Sequence, residues 1–306
     1  MNILFSSDDN YARHLGVAMI SILQHNSDVK DIRFYVIDNQ ITQSNIEKLE
    51  SVITGYDNAE ISLIPFENFE KQLHLRLSWP ISLSSYARLF VGEMLPADVE
   101  RVLYLDCDVI VNGSLSDLWH TDLHGKCLGA VQDTIPSKTK ASVGLTPRQP
   151  YFNAGVLLID MKMWRLNGIG KKCMSFIETY EGCVSHHDQG VLNGVLSGQW
   201  ERLPLKYNVM SVHYLMSQSN IYRYYKDEAP FYNSLDKYEA INNPIILHFT
   251  PSFTNRPWED NCCHPLRDCY CRVLAISPWH DTPLMRDNNP WYVRLINLRY
   301  RLFPVL

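Results

Sequence analysis

The sequence predicts an α/β fold: one domain on a mostly parallel central sheet, followed by a small helical C-terminal appendage. Three observations predict it. Short β-branched and aromatic runs alternate with segments of helical period from the first residue, and the chain up to Ile64 reads βαβαβ. A length of 306 residues, with 46% apolar and 20% charged residues, is enough to bury one large core.

The elements follow in order. Ile3-Leu4-Phe5 reads as a strand and leads into the polar cluster Ser6-Ser7-Asp8-Asp9-Asn10. Val17, Met19, Ile20, Ile22 and Leu23 fit one side of a helix. Ile32 to Asp38 is the second strand, Thr42 to Ile53 the next helix, and Ile61 to Ile64 the third strand. This order demands right-handed crossovers and parallel pairing, and ligands of such sheets lie beyond the carboxyl ends of the strands, where Ser6 to Asn10 falls. A helix near Ser84 to Phe90 precedes the apolar run Val102 to Leu105, which ends in Asp106-Cys107-Asp108 and resumes as Val109-Ile110-Val111. Leu128 to Val131, Gly155 to Ile159 and Ile245 to Phe249 are further strand candidates, with Ile169 to Tyr180 and Gln189 to Leu196 as helices. From Pro257 onward the chain is richer in Pro, Trp and Arg, so the division is a main domain over residues 1–258 and a helical appendage over 259–306.

Charge excludes one class of partner. Lys and Arg number 28 against 33 Asp and Glu, a net charge of -5 that offers no general attraction to nucleic acid. The chain opens without a basic n-region and apolar h-region, and no run of 18 apolar residues lacks a charge, so a cytoplasmic protein with no transmembrane helix is expected. Its eight cysteines would then be reduced. Cys262, Cys263, Cys269 and Cys271 with His264 match no closed four-ligand zinc spacing and read as thiols beside a helix. Trp291 to Phe303 carries three arginines and no acid among aromatic and aliphatic residues, which suits an interfacial helix on an anionic membrane or a last helix packed on the core. Membrane contact is the favoured reading of the two.

The chemistry gathers at Asp106 and Asp108. Two apart on a strand, they face the same side while Cys107 faces the other. Apolar runs on both sides make two uncompensated carboxylates costly unless a cation or hydrogen bonds balance them. Paired hard oxygens suit Mn²⁺ or Mg²⁺, and His248, at the end of the strand candidate Ile245-Ile246-Leu247, would tilt the choice towards Mn²⁺. Adjacent His186 and His187 rarely share an ion and are not read as a metal site. Taken singly, Asp188 reads as an N-cap, Asn153-Ala154-Gly155 as a turn, and Arg88 as half of a salt bridge on a solvated helix face.

Taken in order, these residues form a series of motifs: Ser7-Asp8-Asp9-Asn10-Tyr11, Tyr86-Ala87-Arg88-Leu89, Leu103 to Asp108, Phe152-Asn153-Ala154-Gly155-Val156, Asp188-Gln189 with Leu192-Asn193, and His248 followed by Arg256-Pro257-Trp258. From residue 2 to about 258 the series resembles glycosyltransferase family 8, in particular its bacterial lipooligosaccharide α-1,4-galactosyltransferases. The resemblance implies a GT-A (Rossmann-like) fold and Mn²⁺, with Mg²⁺ as the alternative. It also implies retaining transfer of a hexose, galactose before glucose, from a UDP-hexose donor. The acceptor would be an oligosaccharide or lipid-linked glycan of lipopolysaccharide or lipooligosaccharide synthesis. In that pattern Asp106, Asp108 and His248 bind the metal, and Asp8, Asp9, Asn10, Tyr11, Ala12 and Arg13 hold uridine and ribose. Arg88, Asn153, Asp188 and Gln189 surround the donor sugar, with Asp188 and Gln189 the catalytic candidates. Cys107 and Pro251 also belong to the donor side, Arg256 to the phosphates, and Ser85, Asp133 and His186 to the acceptor.

The chain departs from the family pattern at Pro251, where His-x-x-Gly expects a glycine, and Arg256-Pro257-Trp258 comes two residues late. Proline lacks the N–H that a glycine offers to a phosphate, whereas arginine still binds phosphate bidentately. Front-face substitution is the preferred mechanism and double displacement through Asp188 or Gln189 the alternative. Two rival functions are a haloacid-dehalogenase-like phosphatase, which Val109-Ile110 disfavours for want of a small hydroxyl residue, and a non-catalytic sugar-nucleotide or glycan-binding protein.

Overall fold

The computed structural model describes residues 1–76, 82–251, 254–286 and Leu295. Its strands are β1 (Asn2–Asp8), β2 (Ile32–Asn39), β3 (Ala59–Pro65), β4 (Arg101–Leu105), β5 (Val109–Val111), β6 (Leu128–Gln132), β7 (Phe152–Asp160), β8 (Trp200–Arg202), β9 (Val209–Met210) and β10 (Ile246–His248). Seven form the main sheet in the order β3-β2-β1-β4-β7-β6-β8, and β5-β10-β9 form a small second sheet. Within the main sheet β3, β2, β1 and β4 run parallel, as do β6 and β8, while β7 is antiparallel to both its neighbours.

The period of two along β1 and β2 divides the core. Ile3, Phe5, Phe34 and Val36 face α1 (Ala12–His25) and α2 (Gln43–Ile53), whereas Leu4, Tyr35 and Ile37 join Tyr86, Phe90 and Tyr104 on the opposite face. Because β2 and β4 lie on opposite sides of β1, the strand order reverses there, and a crevice opens at the carboxyl ends of β1 and β4. Asp8 and Asp106 stand at that crevice.

Some sequence expectations change. The triplet Asp106-Cys107-Asp108 is a turn rather than strand: β4 stops at Leu105, and the chain leaves the main sheet to resume as β5 in the other one. The helix expected near Ser84 is a 3₁₀ helix over Leu83–Phe90, continued by one α-turn at Val91–Met94. The strands β8 and β9 and the helices Ser211–Leu215, Gln218–Tyr225 and Ser234–Asn242 were not expected. Beyond residue 258, the helix Arg267–Leu274 packs beside α1: His14 stacks on Trp258 with ring centroids 3.7 Å apart and shares a 2.7 Å hydrogen bond with the Tyr270 hydroxyl. The segment 291–303 lies outside the described residues apart from Leu295. Among the described residues no helix is long and apolar enough to cross a membrane.

Candidate functional site

The crevice divides into two chambers. The first, of about 320 Å³, lies between the end of β1 (Ser6, Ser7, Asp8), Tyr11, the Ser82 to Arg88 stretch, the Tyr104 to Asp108 stretch and Arg256. The second, of about 360 Å³, is lined by Asp133, Asn153, Ala154, His186, His187, Asp188 and Gln189. Both are also lined by Ser85, Arg88 and Asp106, so they adjoin at the end of β4.

Three ligand-bearing side chains converge around Asp106, which lines both chambers, with Asp108 in the wall of the first and His248 buried behind them. The ligand atoms of Asp106, Asp108 and His248 lie within 4.8 Å of one another, the one such group of His, Cys, Asp or Glu among the described residues. His248 ends β10, which pairs antiparallel with β5, so His248 sits opposite Val109 and next to the turn. Its Nε2 is 3.2 Å from Asp108 Oδ1 and 3.8 Å from Asp106 Oδ2. Burial opposes ionisation of Asp108, but His248 and Arg256 outweigh it and hold the carboxyl well below the usual range. Burial likewise works against a charged His248, yet Asp108 and Asp106 raise it above an ordinary imidazole. The donor set of two carboxylates and an imidazole fits a divalent cation.

Gly155 lets the cluster form. A Cβ on this residue would lie 2.3 Å from His248 Cε1 and 2.7 Å from Asp106 Oδ2. Arg88 is buried rather than solvated: its guanidinium joins Asp106 at 2.7 Å to Asp188 at 3.0 Å, lies over the Tyr104 ring and donates to the Ala154 carbonyl. Tyr104 also donates to Asp106 from its hydroxyl at 3.0 Å. Burial raises Asp188, Arg88 offsets part of that and Asp106 adds to it, leaving the carboxyl above its ordinary value.

Asp188 is not the N-cap. The helix His187–Val195 starts one residue earlier, and His186 and His187 both take left-handed backbone, with φ of 60° and 55°. This turn also needs Gly190, whose Cβ would stand 1.9 Å from the Ser185 carbonyl oxygen. His186 Nδ1 is 3.3 Å from the Tyr151 hydroxyl. The Gln189 amide has one satisfactory orientation: Oε1 accepts from the Ala154 N–H at 3.0 Å and Nε2 donates to Asp133 Oδ2 at 3.0 Å. Asn153 donates to the same carboxylate oxygen at 3.3 Å.

The Asp8 to Arg13 segment is split by the fold. Asp8 caps the turn by accepting from the Tyr11 N–H, and Tyr11 accepts from Arg256 at 2.6 Å. Both residues line the first chamber, and Cys107 does too, its buried thiol donating to the Ser6 carbonyl. Asp9 turns away to accept from Thr42 N–H and Asn45, Asn10 is exposed, Ala12 is buried in the first turn of α1, and Arg13 reaches the Pro283 carbonyl. Pro251 is exposed, and its neighbours 252 and 253 lie outside the described residues. Ser6 Oγ and Arg256 Nε are buried without a hydrogen-bond partner, polar groups of the first chamber's lining left for a ligand. Arg256 also lies 3.3 Å from Asp108.

The sequence reading missed Tyr104 and Asn208 at the site. Asn208 accepts from His248 at 2.9 Å but lies 40 residues from it in the chain, with no local pattern to mark it. Of the cysteine-rich segment, Cys262 donates to the Asn255 carbonyl, and His264 is buried edge-on to Phe249 and Tyr214 with its pKa pushed down to about 3 by burial.

Residues 2–262 match the family described as Glycosyl transferase family 8. The chain is 29% identical over 287 residues to general stress protein A of Bacillus subtilis, covering 92% of this chain and 95% of that one. It is 27% identical over 284 residues to a lipopolysaccharide 1,2-glucosyltransferase of Escherichia coli, covering 92% of this chain and 79% of the relative. Among solved structures, galactosyltransferase LgtC in complex with donor and acceptor sugar analogs is similar with a TM-score of 0.73 at 28% identity, covering 97% of this chain and 100% of that one.

Proposed function

The chain belongs to glycosyltransferase family 8 and has its GT-A fold, and from that premise we propose a retaining, Mn²⁺-dependent transferase that moves a hexose from UDP to a saccharide acceptor. The observation that carries the proposal is the pair of adjoining chambers with the Asp106–Asp108–His248 cluster gathered around Asp106, which lines both. In this reading the nucleotide occupies the first chamber and the donor sugar the second.

Leaving-group departure puts negative charge on the diphosphate, and a divalent cation held by Asp106, Asp108 and His248 would supply Lewis acidity there. Arg256 adds a guanidinium on the same side, steadied by Tyr11 and Asp108. Arg88 ties Asp106 to Asp188, so the metal side and the sugar side hold a common register. Asp188 sits in an ion pair with Arg88, and Gln189 Oε1 is engaged by the Ala154 N–H. Neither is a free nucleophile, which favours front-face substitution with the departing phosphate assisting deprotonation of the acceptor hydroxyl.

Galactose is the favoured hexose by motif resemblance and by the likeness to a galactosyltransferase structure. Ser85, Asp133 and His186 offer polar groups for an acceptor, proposed to be a glycan of lipopolysaccharide or lipooligosaccharide synthesis in keeping with the Escherichia coli relative. Residues 1–258 would act as the catalytic domain and 259–306 as the appendage, whose basic-aromatic end holds the enzyme at the cytoplasmic face of an anionic membrane. Family membership leaves the phosphatase reading without support, and the residue after the triplet, Val109, is a buried strand residue. The test is a panel of nucleotide sugars with Mn²⁺, followed by UDP release with and without a saccharide acceptor. UDP release from UDP-galactose above all others, with the α-anomer in the product, is expected; release of inorganic phosphate, or bound donor without turnover, would overturn the proposal.

A further inference from the structure

The orientation of one buried hydrogen-bond chain can be derived from a group that has no choice. The Gly155 N–H is a fixed donor, and at 3.0 Å it meets one end of the Asn153 side-chain amide, which must therefore be the oxygen. The other end, the NH₂, then faces Asp133. Asn208 approaches the same Asn153 oxygen at 2.8 Å, so it presents its own NH₂ there. Its remaining oxygen lies 2.9 Å from His248 Nδ1 and must accept from it. With Nε2, which faces Asp108 and Asp106, given to a cation, the ring keeps one N–H, and that proton must be on Nδ1, pointing at Asn208.

From this chain of contacts we infer that Asn208 is a positioning residue with two tasks: it fixes His248 in the Nδ1–H tautomer that offers Nε2 as a metal ligand, and it couples that ligand to Asn153 in the sugar-side chamber. The inference rests on the metal reading above. Asn208 is fully buried, and His248 and Asn153 nearly so, so water is not at hand to substitute for the amide. The fold places it there by register: Asn208 immediately precedes β9, which pairs with β10 through Leu247 opposite Val209 and His248 opposite Met210. Partners of this kind orient a ligating histidine, and their loss costs metal affinity.

Two near-isosteric substitutions separate the tasks. Asn208→Asp keeps an acceptor for His248 but turns a second acceptor onto the Asn153 oxygen, whereas Asn208→Leu removes both contacts. With the full chain, Mn²⁺ affinity measured by calorimetric titration should fall about 10- to 100-fold in Asn208→Leu and stay at or above the wild-type value in Asn208→Asp. Donor hydrolysis at saturating Mn²⁺ should fall in both. The ¹⁵N and N–H shifts of the His248 ring in the Mg²⁺-loaded protein should report an Nδ1–H hydrogen-bonded to an acceptor in the wild type and in Asn208→Asp, and an Nδ1–H without that acceptor in Asn208→Leu. Equal Mn²⁺ losses in the two variants, or a wild-type Nδ1–H without that acceptor, would overturn the role of Asn208. Failure of the metal reading looks different: the wild type itself would bind no Mn²⁺ or Mg²⁺ at this site.

Discussion

Gly155 carries the tightest constraint at the site. Its missing side chain leaves room for His248 Cε1 and Asp106 Oδ2 at distances no methyl group tolerates. Gly155→Ala should therefore push two of the proposed metal ligands apart, weakening Mn²⁺ binding by on the order of tenfold or more in a calorimetric titration, with an overpacking cost of about 1–3 kcal/mol in a denaturation curve. Unchanged Mn²⁺ affinity would contradict the cluster geometry. Legibility at this scale divides by locality. Two carboxylates at a spacing of two were visible in the sequence, although they converge through a turn rather than along a strand. Arg88 read as solvated because its neighbours have helical period, while its burial depends on Asp106, Asp188 and Tyr104, which come from other parts of the chain.

At the scale of elements, the segment behind the second chamber is held by a buried ion pair. Lys140, in the short helix Ser137–Ala141, lies 2.6 Å from Asp227 just past the helix Gln218–Tyr225, and neither side chain is exposed at all. Lys140 also donates to the Pro147 carbonyl, and Gln132 donates to the Ala229 carbonyl, which ties this segment to the end of β6 beside Asp133. Lys140→Met leaves a buried carboxylate without its partner and should cost about 3–5 kcal/mol of stability, while adding Asp227→Leu should restore most of it. Urea denaturation of the single and double variants checks this, and a double variant no more stable than the single one would contradict it. The βαβαβ start was legible because its strands and helices each fill a periodic window. β8 and β9, of three and two residues, fill none, since their position comes from pairing with β6 and β10. The helix Ser234–Asn242 does carry a local signal, the Asn233 and Asp236 capping box.

Across the whole molecule, three histidines are buried in neutral form. Burial drives His213 and His264 down to about 3, and it takes His14 well below an ordinary imidazole, with Arg13 adding to the effect. A pKa lower in the folded than in the unfolded chain means that unfolding takes up protons once the pH drops below about 6.5. Stability should thus be full above that pH and fall below it, approaching about 1.4 kcal/mol per pH unit for each histidine. His248 has the opposite sign and another window: in the metal-free protein its raised pKa adds stability that fades as the pH climbs above about 6.5. Urea denaturation from pH 5 to 8 should show this dome, and a curve flat below 6.5 would contradict it. The crevice itself was legible from strand order, as the polar Ser6 to Asn10 cluster lies where parallel strands end, but its division into two chambers depends on residues from Ser6 to Arg256. The most direct measurement is a crystal structure with UDP and Mn²⁺, with anomalous data at the manganese edge. The strongest peak is expected among Asp106, Asp108 and His248, with UDP in the chamber lined by Ser6 to Asp8, Tyr11 and Arg256. A peak elsewhere, or UDP bound with no peak at these three residues, would contradict a metal-dependent transfer centred on them.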